Sequence, residues 1–285
     1  GTGLVKTSDD FGSQGEPPSH PNLLDWLSVE FRESGWNIKE FFRTLVMSST
    51  YRQSSKTTAE KLGKDPGNRM LSRGPLFRMD GEMIRDYALA ASGLLVRKIG
   101  GPSVRPYQPG GVWESVAMEG SNTGVYKQDS GAKLYRRSIY TFWKRSAPPP
   151  AMTIFNAPSR EHSTVQRDRT NTPLQALVTM NDTQLVEAAR YLAQKAMREA
   201  GDDFDRRLNY LTIRLLARHI DEKERAVAKQ TYDGFVDLYS MNIEEARKLL
   251  AVGDSPADEA LSVRESAAWA MLASQIMNLD EVLNK

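Results

Sequence analysis

Apolar residues recur every three to four positions along most of this chain, which is the spacing that puts them on one face of an α-helix. The residues between these stretches are polar or rich in glycine and proline, as is typical of turns. The pattern therefore predicts a mainly α-helical protein. The predicted helices lie at about 19–35, 37–46, 80–96, 172–181, 182–199, 204–219, 222–239 and 262–283.

Capping signals support several of these helix starts. Asn37 is followed three positions later by a glutamate, and Asp221 is followed by Glu224 at the same spacing. Thr172 precedes a proline and then Gln175, which combines an N-cap, a proline in the first turn and a capping-box partner. Such side chains accept hydrogen bonds from the free N–H groups at the start of a helix.

Two stretches depart from the helical pattern. Residues 100–132 are dominated by glycine, proline, serine and asparagine and predict a long irregular insertion. Residues 133–145 combine β-branched, aromatic and basic side chains and predict one or two short β-strands. The expected architecture is thus an irregular multi-helix domain with long loops, spanning 1–285 as a single domain. Because the chain starts without a methionine or a signal sequence, we expect it to be a fragment of a larger protein.

Composition and charge narrow the chemistry. The net charge of +2 is too small for a surface that binds nucleic acid as a whole, so any basic function must be local. There are no cysteines, which excludes disulfides, thiolate metal sites and a cysteine nucleophile. The three histidines lie far apart without metal-ligand spacing, so no metal and no cofactor is expected in this chain. No apolar run approaches the ~20 residues that a membrane span needs.

Residues 133–169 carry eight basic and two acidic side chains, a local excess of six positive charges. Arginine binds carboxylate, phosphate or sulfate through paired N–H groups, and aromatic rings stack on sugars or on guanidinium groups. This segment is therefore the predicted anion-recognising face. Its candidate ligand-binding residues are Arg137, Tyr140, Trp143, Arg160, Arg167, Arg169 and Asn171.

The same segment offers two candidate catalytic residues, Glu161 and His162, either of which could act as a general base beside arginines that stabilise negative charge. No second carboxylate has the spacing of a glycosidase pair, and no nucleophile elbow occurs. An alternative explanation for the arginines is structural, in which they tie irregular backbone together by hydrogen-bonding carbonyl groups.

Several motifs carry a resemblance to a known family. The motifs are Asp9-Asp10-Phe11-Gly12, Pro18-Ser19-His20-Pro21, Leu24-Asp25-Trp26-Leu27, Ser49-Thr50-Tyr51-Arg52-Gln53-Ser54, Asn68-Arg69, the stretch 78–86, the stretch 169–177, Asn181-Asp182 and Leu279-Asp280-Glu281. In these motifs the chain resembles a planctomycete-specific domain family known as domain of unknown function 1553.

The resemblance implies an exported, extracytoplasmic multidomain protein, in which this domain follows N-terminal domains of the same polypeptide and often a cytochrome-c-like module. It implies no reaction and no catalytic residue. Our leading hypothesis is a helical binding or interaction domain for an anionic ligand or glycan. One alternative is a hydrolytic or redox enzyme acting on anionic, sulfated polysaccharide, and another is a purely structural partner of the N-terminal domains.

Overall fold

The computed structural model describes residues 2–284, and it is mainly α-helical, as the sequence predicts. The described residues separate into two compact units. Unit 1 comprises residues 2–77 and 164–166, and unit 2 comprises residues 78–163 and 167–284. The expectation of one domain over 1–285 stays a prediction, and the two units are described separately.

Unit 1 contains three helices and a small aromatic cluster. The ring of Phe31 lies 4.8 Å from that of Phe41 and 5.2 Å from that of Trp36, centroid to centroid. No residue of the three helices is fully buried, and Trp26 and Phe42 are more than half exposed. The helices are α1 (Pro21–Glu33), α2 (Ile38–Met47) and α3 (Ala59–Lys64).

Unit 2 holds the main hydrophobic core. Its helices are α4 (Gly81–Ser92), α5 (Pro150–Ile154), α6 (Pro173–Asn181), α7 (Thr183–Glu199), α8 (Phe204–Leu216), α9 (Glu222–Met241), α10 (Ile243–Leu250), α11 (Val263–Met277) and α12 (Asp280–Leu283). Helix α11 packs along α7 and against α9, and α4 also packs against α7. The α7–α11 contact is made largely by small side chains, including Ala193, Ala196 and Ala273, which are fully buried. Alanine at these positions lets the helices approach closely and exclude water.

The predicted capping signals form as expected. Thr172 and Gln175 make a complete capping box at the start of α6, and Asp221 and Glu224 make another at the start of α9. Helix α4 ends at Ser92, earlier than predicted, because Gly93 adopts the left-handed conformation with φ of 89°.

In place of regular strands, residues 133–145 contribute to short 3₁₀ helices and pair with other parts of the chain through isolated β-bridges. The 3₁₀ helices cover Gly131–Tyr135 and Ser138–Tyr140, and the bridges join Val96 to Arg136 and Val104 to Thr141. The β-branched and aromatic residues thus form single pairings, and among residues 2–284 both pairings are isolated bridges that no neighbouring strand extends.

The stretch 100–132 is irregular apart from a 3₁₀ turn at Glu114–Val116 and the start of the 3₁₀ helix Gly131–Tyr135, and it folds around one aromatic side chain. Trp113 is 2% exposed and packs edge-on against Tyr126, with ring centroids 4.9 Å apart. The carboxylate of Asp129 accepts a hydrogen bond of 2.8 Å from the backbone N–H of Arg105. A loop of this length therefore has its own packed anchor inside unit 2.

Helices long and apolar enough to cross a membrane do not occur among residues 2–284.

Candidate functional site

Trp143 and Arg160, two of the predicted ligand-binding residues, are in direct contact in the structure. The backbone N–H of the preceding Phe142 donates to the carbonyl oxygen of Val104 at 2.8 Å, which fixes the chain that carries Trp143. The indole Nε1–H of Trp143 donates to the carbonyl oxygen of Ser159 at 3.0 Å, which orients the ring. The guanidinium carbon of Arg160 lies 4.2 Å from the ring centroid. The result is a cation–π stack on the surface of unit 2.

Arg160 is unusual in its backbone as well as in its contact. Its φ is 66°, in the left-handed region that residues with a Cβ seldom adopt. Its side chain is exposed, and within the described part of the chain its guanidinium makes neither a hydrogen bond nor an ion pair. Strained backbone of this kind persists where surrounding structure holds it, and it concentrates at functional sites.

The candidate catalytic residues come directly after Arg160 in sequence, and the protein does not enclose them. Glu161 and His162 are both exposed. The backbone N–H of Glu161 donates to Ser159 Oγ at 3.3 Å, which helps to hold the turn that carries Arg160. Both side chains are therefore in contact with solvent.

Arg167 is engaged elsewhere in unit 2. Its two terminal nitrogens donate to the carboxylate of Glu82 at 2.8 and 3.2 Å, and Asp80 lies 3.5 Å away. The hydrogen bonds to Glu82 raise the pKa of Arg167. This bidentate pair ties the loop before α6 to the first turn of α4, and it commits the guanidinium to the protein itself.

The other predicted residues are dispersed. The Tyr140 hydroxyl accepts the backbone N–H of Gly100 at 2.8 Å, and the Tyr140 ring lies 3.7 Å from the guanidinium carbon of Arg136. Arg137 is exposed, as are Arg169 and Asn171. Arg136 was not a candidate, and it fits the structural explanation: its guanidinium donates to the carbonyl oxygens of residues 98, 100 and 102.

Sequence reasoning missed a buried polar network in unit 2 that centres on Glu187. The Tyr135 hydroxyl and the backbone N–H of Ser255 both donate to Glu187 Oε1 at 2.7 Å. Arg190 lies 3.9 Å from the same carboxylate, and the side chains of both residues are completely buried. Burial, followed by the hydrogen bond to Glu187, raises the pKa of Tyr135. Helical periodicity alone cannot distinguish these inward-facing charges from those that face solvent.

Arg85 connects this network to the central segment, residues 133–169. Its Nη2 donates to the carbonyl oxygen of Leu134 at 2.6 Å and to Gln184 Oε1 at 2.9 Å, and its Nη1 donates to the carbonyl oxygen of Arg136 at 2.8 Å. Burial lowers the pKa of Arg85, and the charges of Asp86 and Asp182 oppose that effect. Arg85 and Asp86 belong to the stretch 78–86, one of the motifs that carry the family resemblance. That motif was the sequence signal that could have pointed to this site.

Metal chemistry gains no support from the geometry. The structure of residues 2–284 contains no group of three or more His, Asp or Glu side chains placed to hold a metal ion.

A family model matches residues 1–232, and its description is PSD1, protein of unknown function (DUF1553). The match covers more than half of the chain. The chain belongs to this family. No curated protein and no solved structure matched this chain.

The region that matches the PSD1 model ends inside a helix. Residue 232 falls inside α9, so α10, α11 and α12 lie beyond the matched region. The matched region includes the stacked Trp143 and Arg160, and also Arg85 and Glu187. The features of unit 2 that bear polar chemistry are therefore mostly features of the matched PSD1 region.

Proposed function

We propose that this PSD1 domain is a binding module that recognises an anionic group, such as a sulfate or carboxylate on a glycan, through Arg160 held on Trp143. The observation that carries the proposal is the exposed guanidinium stacked 4.2 Å from the indole centroid. A stacked guanidinium uses its flat face for the ring, which leaves the N–H groups along its edge free to bind an oxyanion in a bidentate manner.

Preorganisation supports the same proposal. Trp143 is oriented by its hydrogen bond to Ser159, and the turn at Arg160 is held in a left-handed conformation. An arginine already fixed on a ring loses less conformational freedom on binding than a free one. The exposed Arg137 and Arg145 in the same segment add positive charge, which favours the approach of an anion.

The enzyme alternative is less favoured by the geometry. Glu161 and His162 stand in solvent, whereas acid–base catalysis gains from a site that excludes water and tunes the reacting groups. The extracytoplasmic setting and the N-terminal partner domains stay part of the proposal on the strength of the resemblance.

A titration tests the proposal. The intact chain is titrated calorimetrically with a sulfated oligosaccharide and with the same oligosaccharide after desulfation, at low and at raised salt. We expect the sulfated ligand alone to bind, and we expect binding to weaken as salt screens the charges. Arg160→Ala should weaken binding about tenfold or more, because hydrogen bonds to charged groups contribute roughly 1.5–3 kcal/mol.

Arg167→Ala is the matched control. Because Arg167 is bound to Glu82, its loss should leave affinity unchanged and destabilise the fold by roughly 1 kcal/mol. Absence of binding to wild type at low salt, or equal affinity in Arg160→Ala, would contradict the proposal.

A further inference from the structure

Unit 2 contains a small cavity that lies apart from the Trp143–Arg160 stack. Its volume is about 50 Å³. It is bounded by α4, α5 and the junction of α6 and α7, and most of its wall is apolar, including Met152, Phe155 and Leu185. A 150 Å³ apolar cavity holds benzene, so a space about a third of that size accommodates roughly two non-hydrogen atoms.

Asp182 places a carboxylate in this wall. One oxygen, Oδ1, caps α7 by accepting the backbone N–H groups of Gln184 at 3.0 Å and Leu185 at 3.3 Å. The other oxygen, Oδ2, accepts no hydrogen bond from any residue that the structure describes. Burial raises the pKa of Asp182, opposed by its hydrogen bonds and by the charge of Arg85. An oxygen of a partly buried carboxylate that has no donor in the protein is stabilised when a ligand brings one.

Thr141 provides the second, independent observation. It is 5% exposed, it forms part of the cavity wall, and its Oγ1 is buried without a hydrogen-bond partner among the described residues. A buried hydroxyl is normally paired. A 120° rotation about χ1 moves a threonine hydroxyl to the position of its methyl group and the methyl group to that of the hydrogen, so the oxygen can turn towards the cavity.

We propose that this cavity binds a hydroxymethyl-sized group of an alcohol or polyol, with its hydroxyl between Asp182 and Thr141 and its carbon against Met152 and Phe155. The charges select this class of ligand. An anion is disfavoured by the carboxylate of Asp182, and a cation is disfavoured by the guanidinium of Arg85, which also lines the cavity. A purely apolar group would leave Asp182 Oδ2 and the Thr141 hydroxyl without a partner.

The cavity proposal does not rest on the proposed anion site, because Arg160 is not part of the cavity wall. Ethanol and acetonitrile are the test probes, since each has three non-hydrogen atoms, about two of which the cavity holds, but acetonitrile has no O–H or N–H to donate. The methyl resonance of Met152 is followed in the intact, ¹³C-methionine-labelled chain during each titration. We expect a saturable shift with ethanol and none with acetonitrile.

Two variants and a control complete the experiment. Thr141→Val keeps the shape and should weaken ethanol binding about fivefold without loss of stability, because the hydroxyl it removes has no partner among the described residues. Asp182→Asn keeps the helix cap, replaces the free oxygen by an amide nitrogen and should weaken binding to a similar extent. Thr153→Val, on the exposed side of α5, should bind like wild type. Equal responses to both probes, no saturable shift, or unchanged binding in both cavity variants would overturn the proposal.

Discussion

Ala217 ends α8 in a conformation that alanine does not favour. Its φ and ψ are 58° and 24°, in the left-handed region, and its side chain is exposed. A Cβ in this region crowds the following carbonyl, at a cost of roughly 1–2 kcal/mol, and glycine avoids that cost. Ala217→Gly should therefore stabilise the protein by about 0.5–1 kcal/mol, because glycine's greater freedom in the unfolded chain offsets part of the gain. Urea denaturation measures the difference.

Ala200 is the matched control, because it occupies the equivalent position at the end of α7 with an ordinary φ of −101°. Ala200→Gly relieves no strain and should lower stability by roughly 0.5–1 kcal/mol. If Ala217→Gly were as destabilising as Ala200→Gly, then strain at Ala217 would not be a property of the protein in solution.

The sequence could not predict which partner each individual arginine contacts. Arg167 and Arg160 are seven positions apart in one basic segment, yet the first binds Glu82 and the second stacks on Trp143. Arg85, outside that segment, reaches acceptors 49 and 99 positions away in sequence. Composition predicts that such a segment is basic, but only the fold decides which guanidinium groups are occupied.

Arg218 forms a hydrogen-bonded clamp between the ends of three helices. It follows α8 and donates through Nη2 to Glu224, at the start of α9, at 2.7 Å, and to Glu281, in α12, at 2.6 Å. The hydrogen bond from Arg218, followed by that from the backbone N–H of Asp221, lowers the pKa of Glu224 to about 2. A glutamate with a lowered folded-state pKa stabilises the protein above its unfolded pKa of about 4.5, and it loses that contribution as the pH falls towards 2.

Glu224→Gln tests this clamp while keeping an acceptor for the capping box. Because the three side chains are 38–49% exposed, solvent screens the pairs, and we expect a loss below about 1 kcal/mol at neutral pH. The difference from wild type should shrink as the pH falls from about 4.5 to 2, and also in 1 M salt. Denaturation at several pH values measures it. A difference that does not vary over this range would contradict the lowered pKa.

Helices with strong local signals were predictable, and those without such signals were not. The capping boxes at Thr172 and Asp221 form as their spacing predicts. Helix α10 and the short α5 were missed, because α10 follows α9 after a single residue and α5 begins in a run of prolines. The expected strands at 133–145 became single bridges, since strand formation depends on a neighbouring strand that local sequence does not specify.

At the scale of the whole molecule, the mainly α-helical class followed from periodicity, but the cavity and the network around Glu187 did not. Their members come from α4, the central segment, α7 and the loop near Ser255, far apart along the chain. Side chains that meet in this way depend on the packing of whole helices. The same applies to the main core, in which Trp269 of α11 meets rings from α8 and α9.

Trp269 tests whether that core governs the stability of unit 2. It is 1% exposed, and its ring lies 4.6 Å from Tyr232 and 5.3 Å from Phe204, centroid to centroid. Trp269→Ala should remove this three-ring contact, leave a cavity and destabilise the protein by roughly 3–5 kcal/mol in chemical denaturation. Trp26→Ala is the matched control, because Trp26 is 51% exposed in unit 1 and its loss should change stability by less than about 0.5 kcal/mol. A loss below about 1 kcal/mol for Trp269→Ala would mean that α11, which lies beyond the matched PSD1 region, contributes little to the fold of unit 2.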